Sequence, residues 1–202
     1  ESAKPQKLLA SLLSKGKIVA IFQGHMEFGP RALGNRSILS QATDVTINSK
    51  LNKKLNRTEF MPFAPVTKLE DASKYYKNTS GVIETLQYMT ITLNCTSEMI
   101  ETCPAVVHLD GTARPQLVTE KSNPLIYNIL TEYSKLTKIF SLVNTSFNTH
   151  EEPIVCTLDD ALSALFTSGV DYLYVEGGFL IDLKKNKNIG YEYLKEQKSN
   201  NN

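Results

Sequence analysis

The sequence lacks the long runs that would settle its class at once. No stretch approaches 18 uninterrupted apolar residues, so no membrane-spanning helix is expected. No block of one charge stands out: 22 Lys+Arg against 21 Asp+Glu leave a net +1 over 202 residues. That balance argues against a chain whose main work is coating nucleic acid or an anionic membrane. Cysteine is sparse. Cys95, Cys103 and Cys156 form no CxxC pair, which disfavours a zinc ribbon or a disulfide framework and fits a reducing cytoplasm. His25, His108 and His150 lie far apart, so no closely spaced pair of ligands is available and no protein-bound metal is expected. Neither GxxxxGK[ST] nor GxGxxG occurs, which removes two common phosphate fingerprints. The opening ESAKPQKLLASLLSKGK is too short and too polar to read as a signal peptide.

What is present is the composition of a folded domain, 41% hydrophobic and 21% charged, on a chain long enough to bury one sizeable core. Helical and strand patterns alternate, so the fold class is α/β: one domain over residues 1–190, a mixed sheet flanked by helices, then a polar tail at 191–202. A helix with Leu8, Leu9, Leu12 and Leu13 on one face precedes a buried strand, KIVAIFQ (17–23), which runs into a Gly-rich loop at 24–37. A second helix is predicted over 45–56, and MPFAPVTK (61–68) is extended because each proline pushes its predecessor toward β geometry. Residues 70–77 suit a short helix. QYMTITLNC (87–95), PAVVHLD (104–110), RPQLVTE (114–120) and IFSLV (139–143) read as strands, and 124–136 as a long helix. Thr157 with Asp160 resembles a capping box for a further helix, and Gly177–Gly178 marks a closing hairpin.

Four polar clusters carry the chemistry. Glu27 to Ser37 places Arg31 and Arg36 among Gly29 and Gly34 just after a hydrophobic strand. Glycines let backbone N–H groups approach a ligand, and a guanidinium grips a phosphate or carboxylate with two parallel hydrogen bonds. The competing reading is a surface loop whose arginines pair with nearby acids. Asn144-Thr145-Ser146-Phe147-Asn148 follows a strand directly, where open α/β sheets hold their ligands; local turn bonding would explain the same residues. Asp110 to Gln116, with Arg114, is on spacing alone a hairpin turn, and Asn52, Arg57 and Glu59 mark a helix end before a proline-stiffened strand. His25 beside Glu27 is a candidate general base or a structural histidine, and Cys156 fits a small buried thiol better than a nucleophile.

In this order the clusters resemble the C-terminal domain of the NodU/CmcH family of O-carbamoyltransferases. The matching stretches are EFGPRALGNRSIL (27–39), NKKLNRTEFMPFAP (52–65), HLDGTARPQ (108–116) and NTSFNTHEEPI (144–154), and the similarity runs over about residues 16–183. The resemblance implies a YrdC-like fold and the conversion of carbamoyl phosphate and ATP, with Mg2+, to carbamoyladenylate. It implies as partner an N-terminal domain of actin/sugar-kinase type that passes the carbamoyl group to a hydroxyl. It assigns Arg31, Arg36 and Arg57 to a phosphate clamp. Ser37, Arg114, Asn144, Ser146 and Asn148 become substrate or nucleotide contacts. Two cations of the family pattern are replaced: the arginine before PFAP is Met61, and the lysine of K-x-R aligns with Leu55, with Lys53 and Lys54 beside it. A non-catalytic nucleotide- or phosphate-binding module, and a YrdC-type synthesis of threonylcarbamoyl adenylate, stay open as alternatives.

Overall fold

The computed structural model describes residues 4–57, 63–150 and 152–200. Among these residues the α-helices and strands follow in the order α1 (Pro5–Ser14), β1 (Val19–Phe22), β2 (Arg36–Gln41), α2 (Thr46–Lys54), β3 (Ala64–Lys68), α3 (Ala72–Tyr75), α4 (Ile83–Leu86), β4 (Leu93–Asn94), α5 (Ser97–Thr102), β5 (Thr112–Ala113), β6 (Gln116–Val118), α6 (Pro124–Thr137), β7 (Ser141–Ser146), α7 (Leu158–Ser168), β8 (Tyr172–Val175), β9 (Phe179–Asp182) and α8 (Lys187–Asn200). Proline opens α1 and α6, where its fixed φ suits the first turn and no partner for its missing N–H is needed. The side chain of Asn123 caps α6, and Thr157 with Asp160 forms the expected capping box on α7.

The main sheet has the order β6-β3-β7-β2-β1-β8-β9, and β4 pairs with β5 separately. β1 runs parallel to β8 and β3 parallel to β6, while the remaining neighbours are antiparallel, so the sheet is mixed. Consecutive residues of the central strands point to opposite faces. Ile21 and Leu39 pack with Leu9, Leu13, Ile129 and Tyr133 of α1 and α6. Ala20 and Ile38 pack with Leu51, Phe147, Leu165 and Leu173 on the other side. Each fully buried leucine or isoleucine contributes about 1.5–3 kcal/mol relative to exposure, so the two layers fix the strand register. No helix among the described residues is long and apolar enough to cross a membrane.

This register gathers the polar clusters at one end of the sheet. β2 begins where β7 ends, with Ser37 opposite Ser146 and Leu39 opposite Asn144. Ala64, the first residue of β3, also lies opposite Asn144, and Gln116, the first of β6, lies opposite Val66. The connection at 23–35, residues 147–150, the start of β3 and the turn before β6 therefore share one rim.

The structure departs from the sequence expectations at five places. Arg36–Gln41 is a central strand, not the close of a loop. With both faces covered, its serines are buried and the alternation that would announce it is missing. Within 87–95 only Leu93 and Asn94 pair in a strand, and Met89 takes a left-handed backbone at φ +55. Residues 104–106 form a single 3-10 turn behind α5, which the sequence reading lacked. β7 reaches three residues further than IFSLV, to Ser146, and α8 extends to Asn200 in the stretch read as a tail. Met61 and Glu59 lie outside the described residues.

Cys95 and Cys103 are buried and Cys156 is exposed. Burial, ahead of the nearby Asp110 carboxylate, pushes the Cys95 thiol up to about 11, and burial also raises Cys103. Ellman titration of the native chain at neutral pH should thus show one fast thiol, and three after unfolding in guanidinium. Two or more fast thiols in the folded chain would contradict this packing.

Candidate functional site

The connection 23–35 would be loose if left to itself, since adjacent antiparallel strands are usually joined by two to five residues. Here its peptide groups are tied one by one. The Gln23 side chain donates to the Gly34 carbonyl (2.9 Å), the Gln116 side chain to the Leu33 carbonyl (2.7 Å), and the Asn144 side chain to the Ala32 carbonyl (3.2 Å). Asn144 also donates to Gln116 Oε1 (2.6 Å), and Asn123 Nδ2 to Asn35 Oδ1 (3.2 Å). On the N–H side, Glu27 Oε1 accepts from Leu33 and Asn35, each at 2.7 Å, and Ser37 Oγ accepts from Gly34 (2.9 Å). Gly34 is required for two reasons. Its φ is +114, and a Cβ there would stand 2.5 Å from Asn123 Nδ2 and 2.7 Å from Ile126 Cγ1.

So held, the loop presents Arg31 to a cavity of about 270 Å³ that is also lined by Arg57, Arg114, Asn144, Thr145, Ser146, Asn148, Thr149 and His150. Arg57 follows the end of α2 and, among the described residues, is clamped by neutral acceptors alone. Nη1 donates to Thr145 Oγ1 (2.8 Å). Nη2 reaches the Ser146 carbonyl (2.9 Å), Ser146 Oγ (3.1 Å), the Asn148 carbonyl (3.1 Å) and Asn148 Oδ1 (2.8 Å). Ser146 Oγ donates to Asn148 Oδ1 at 2.6 Å, so the serine–asparagine turn is built around this guanidinium. Arg114 arrives because Asp110 Oδ1 accepts from the Thr112 N–H (3.0 Å) and hydroxyl (2.7 Å), making a tight turn. The next residues then cross from the β4–β5 pair into the main sheet.

Among the described lining residues there is no aspartate or glutamate. None of the ion pairs among the described residues includes an arginine either; all five use lysine. Burial holds the Arg57 guanidinium below its usual pKa, and Arg114 is lowered by burial first and by the Arg31 charge second. Among the described residues three cations thus meet without a counter-charge, an arrangement that a bound anion relieves. A more apolar space of about 430 Å³ adjoins the first. It shares Pro30, Arg31, Met89 and Arg114 with it and adds Phe28, Leu33 and Tyr88. No group of three or more His, Cys, Asp or Glu among the described residues could hold a metal ion.

Of the residues singled out from sequence, Arg31, Arg57, Arg114, Asn144, Ser146 and Asn148 line the cavity together. Arg36 and Ser37 do not. The guanidinium of Arg36 lies 3.7 Å over the Phe22 ring and donates to the carbonyls of Gln23 (2.6 Å), Gly24 (3.2 Å) and Asn35 (3.1 Å). As the first residue of a covered strand it is buried, and it ties the two ends of the loop instead of facing a ligand. Ser37 points to Gly34 on the opposite face. Asn144 lines the cavity, but its amide is spent on Ala32 and Gln116. The Leu55 side chain belongs to the apolar core, and Lys54 bonds the Gly169 carbonyl at the end of α7, so neither supplies the family lysine. His25 is exposed outside the cavity. Cys156 is exposed, against the expectation of a buried thiol. Thr145, part of the Asn144–Asn148 cluster, also lines the cavity, as does Met89, which nothing in the sequence pattern marks as a site residue.

Residues 10–182 match the family model described as Carbamoyltransferase C-terminus. An uncharacterised protein of Methanocaldococcus jannaschii is 37% identical over 85% of this chain and 28% of its own length. Nodulation protein NolO of Bradyrhizobium diazoefficiens is 36% identical over 85% of the chain and 31% of its own length. The 3'-hydroxymethylcephem-O-carbamoyltransferase of Streptomyces clavuligerus is 34% identical over 75% and 28%. The chain therefore spans about 30% of the curated relatives it matches. Among solved structures, full-length HypF aligns over 86% of this chain and 25% of its own with a TM-score of 0.64 at 23% identity. P. abyssi Sua5 aligns over 77% of this chain and 42% of its own with a TM-score of 0.55 at 10% identity. Both likenesses are of fold, and they identify it as YrdC-like.

The close approach at Gly34 yields a test. Gly34→Ala should lower stability by about 2–4 kcal/mol through backbone strain and overpacking against α6. That is a fall in melting temperature of roughly 5–15 °C for a chain of this size, measured by differential scanning fluorimetry. A melting temperature within a degree of the parent would show that the loop does not sit against Asn123 and Ile126.

Proposed function

Because the chain belongs to the carbamoyltransferase C-terminus family, we propose that its three-arginine cavity binds the phosphoryl groups of carbamoyl phosphate and ATP and forms carbamoyladenylate. The observation that carries this reading is the meeting of Arg31, Arg57 and Arg114 with no acidic residue among the described lining. Adenylate formation brings several phosphates together against their repulsion, and fixed guanidinium and hydroxyl groups answer that need without reorganising. The reaction balances with one water. Carbamoyl phosphate gives carbamate and phosphate, then a carbamate oxygen attacks the α-phosphorus of ATP while the bond to the pyrophosphate oxygen breaks.

Arg57, immobilised by Thr145, Ser146 and Asn148, is the fixed cation of the set. Arg31 and Arg114 stand where the polar and apolar cavities join, so a ligand with an anionic end and an apolar or aromatic end fits across them. An adenine nucleotide has that form. Structural support of a coarser kind comes from HypF, whose structure of like fold was solved in a phosphate- and nucleotide-bound form. Magnesium would accompany ATP on phosphate and water oxygens, since a carboxylate cluster is missing among the described residues. On this reading, transfer of the carbamoyl group to a hydroxyl calls on an N-terminal actin/sugar-kinase-like partner domain; this chain spans only about 30% of the length of its relatives.

Arg31→Ala, Arg57→Ala and Arg114→Ala should each weaken pyrophosphate binding about tenfold or more in calorimetry, since a charged hydrogen bond contributes about 1.5–3 kcal/mol. Pyrophosphate release from ATP should depend on added carbamoyl phosphate and fall in all three variants. Affinity unchanged in all three would remove the cavity as the anion site. Intact binding with no release under any condition would leave a non-catalytic nucleotide module.

A further inference from the structure

We propose that Glu27 is a positioning residue of this cavity: its carboxylate fixes the 32–36 backbone and thereby the place of Arg31, without touching the ligand. The inference rests on the anion-binding reading above. The two rim arginines are held in different ways. Arg57 is pinned by five side-chain hydrogen bonds. Arg31 is exposed, and its side chain makes no hydrogen bond within the described residues, so its place is set by its backbone. That backbone belongs to a long connection whose carbonyls are taken by four separate amide side chains, from Gln23, Gln116, Asn123 and Asn144. Of its N–H groups, that of Gly34 goes to Ser37 Oγ, and three others converge on one atom. Glu27 Oε1 accepts from Leu33 and Asn35 at 2.7 Å and from Arg36 at 3.4 Å.

Charge alone argues against an acid in such a loop, because a carboxylate beside an anion site repels the anion. Two features remove the contradiction. Glu27 does not line either cavity, and its Oε2 is buried without a hydrogen-bond partner. The buried Arg36 guanidinium lies close enough to feel its charge and is itself spent on the loop carbonyls. Glu27 and Arg36 therefore compensate each other inside the loop, which leaves the charge of Arg31 for a ligand.

A double-mutant cycle separates positioning from mere stability and from charge. Pyrophosphate affinity is measured on the 202-residue chain carrying Glu27→Ala, Arg31→Ala and both, well below the melting temperature, with circular dichroism to confirm folding. Positioning predicts that Glu27→Ala weakens binding about fivefold or more, although a negative charge has been removed, and that it adds nothing once Arg31 is gone. Binding equal to or tighter than the parent, or an equal loss in the Arg31→Ala background, overturns the inference while the cavity stands. No effect of Arg31→Ala overturns the cavity reading for this residue and the inference with it. Should Glu27→Ala fail to fold, Glu27→Asp keeps the charge but withdraws the oxygen. It should weaken binding about threefold and speed hydrogen exchange at the Leu33 and Asn35 amides, whereas parent-like exchange and affinity reject the role.

Discussion

Positive charge held in place without being neutralised is the constraint on which this molecule turns. A guanidinium taken out of water needs hydrogen-bond acceptors, and the cheapest acceptor is a carboxylate. A carboxylate would also cancel the charge and close the site to any other anion. Arg57 is instead surrounded by a threonine hydroxyl, a serine hydroxyl, an asparagine amide and two peptide carbonyls. These satisfy its N–H groups as dipoles and leave its net charge standing. Lys68 shows the opposite solution, lying between Glu70 and Asp71 away from the cavity.

Neutral acceptors are weaker than charged ones, so their geometry must be enforced from outside. The sheet does this. β2 and β7 run antiparallel at its centre with helices on both faces, and the register that pairs Ser37 with Ser146 cannot slip by one residue without turning Ile38 and Leu39 to the wrong layers. The core thus sets the distance between the Arg31 loop and the serine–asparagine turn. The amide side chains of Gln23, Gln116, Asn123 and Asn144 carry that rigidity into the loop itself. Packing and polar chemistry are linked here because the same strands that bury leucine end in the residues that hold arginine.

Much of this was legible in the order of residues, and the exceptions have a common cause. Long periodic helices such as α6 and short apolar strands such as β1 announced themselves, as did the loops rich in glycine and arginine. The β2 strand did not, because Arg36, Ser37, Ser40 and Gln41 surround only two apolar residues, Ile38 and Leu39. Missing that strand made Arg36 and Ser37 look like loop ligands. Once Arg36 is the opening residue of a covered strand, its side chain must lie on one face of the sheet, and it packs on Phe22. The reverse error occurred at 87–95, where β-branched residues suggested a strand but the chain turns at Met89. Partners distant in sequence decided the first case, whereas at 87–90 the bonds are local, the Gln87 and Tyr88 N–H groups donating back to the Glu84 and Thr85 carbonyls. The carbamoyltransferase motifs were legible for a different reason, since the bonds that hold the loop fall on the quoted residues Glu27, Gly34, Gln116 and Asn144.

The departures from the family pattern bear on how the cavity balances its charge. Leu55 replaces a family lysine, and its side chain is part of the core cluster on the Ile38 side of the sheet. Lys54 does not substitute for it, because its ammonium is engaged with the carbonyl of Gly169, the residue that caps the C-terminus of α7, where a cation is favoured by the helix dipole. The chain contains four arginines in all, and one of them, Arg36, is consumed inside the loop. The remaining three are the arginines of the cavity. With no spare guanidinium elsewhere, the anion affinity of this end of the sheet rests on the mutual placement of Arg31, Arg57 and Arg114. Since like charges separate when nothing restrains them, that placement survives only because Arg57 is clamped by side chains, while Arg31 and Arg114 are carried by turns whose acceptors are Glu27 and Asp110. The carboxylates missing from the cavity are thus present one layer behind it, bonded to backbone.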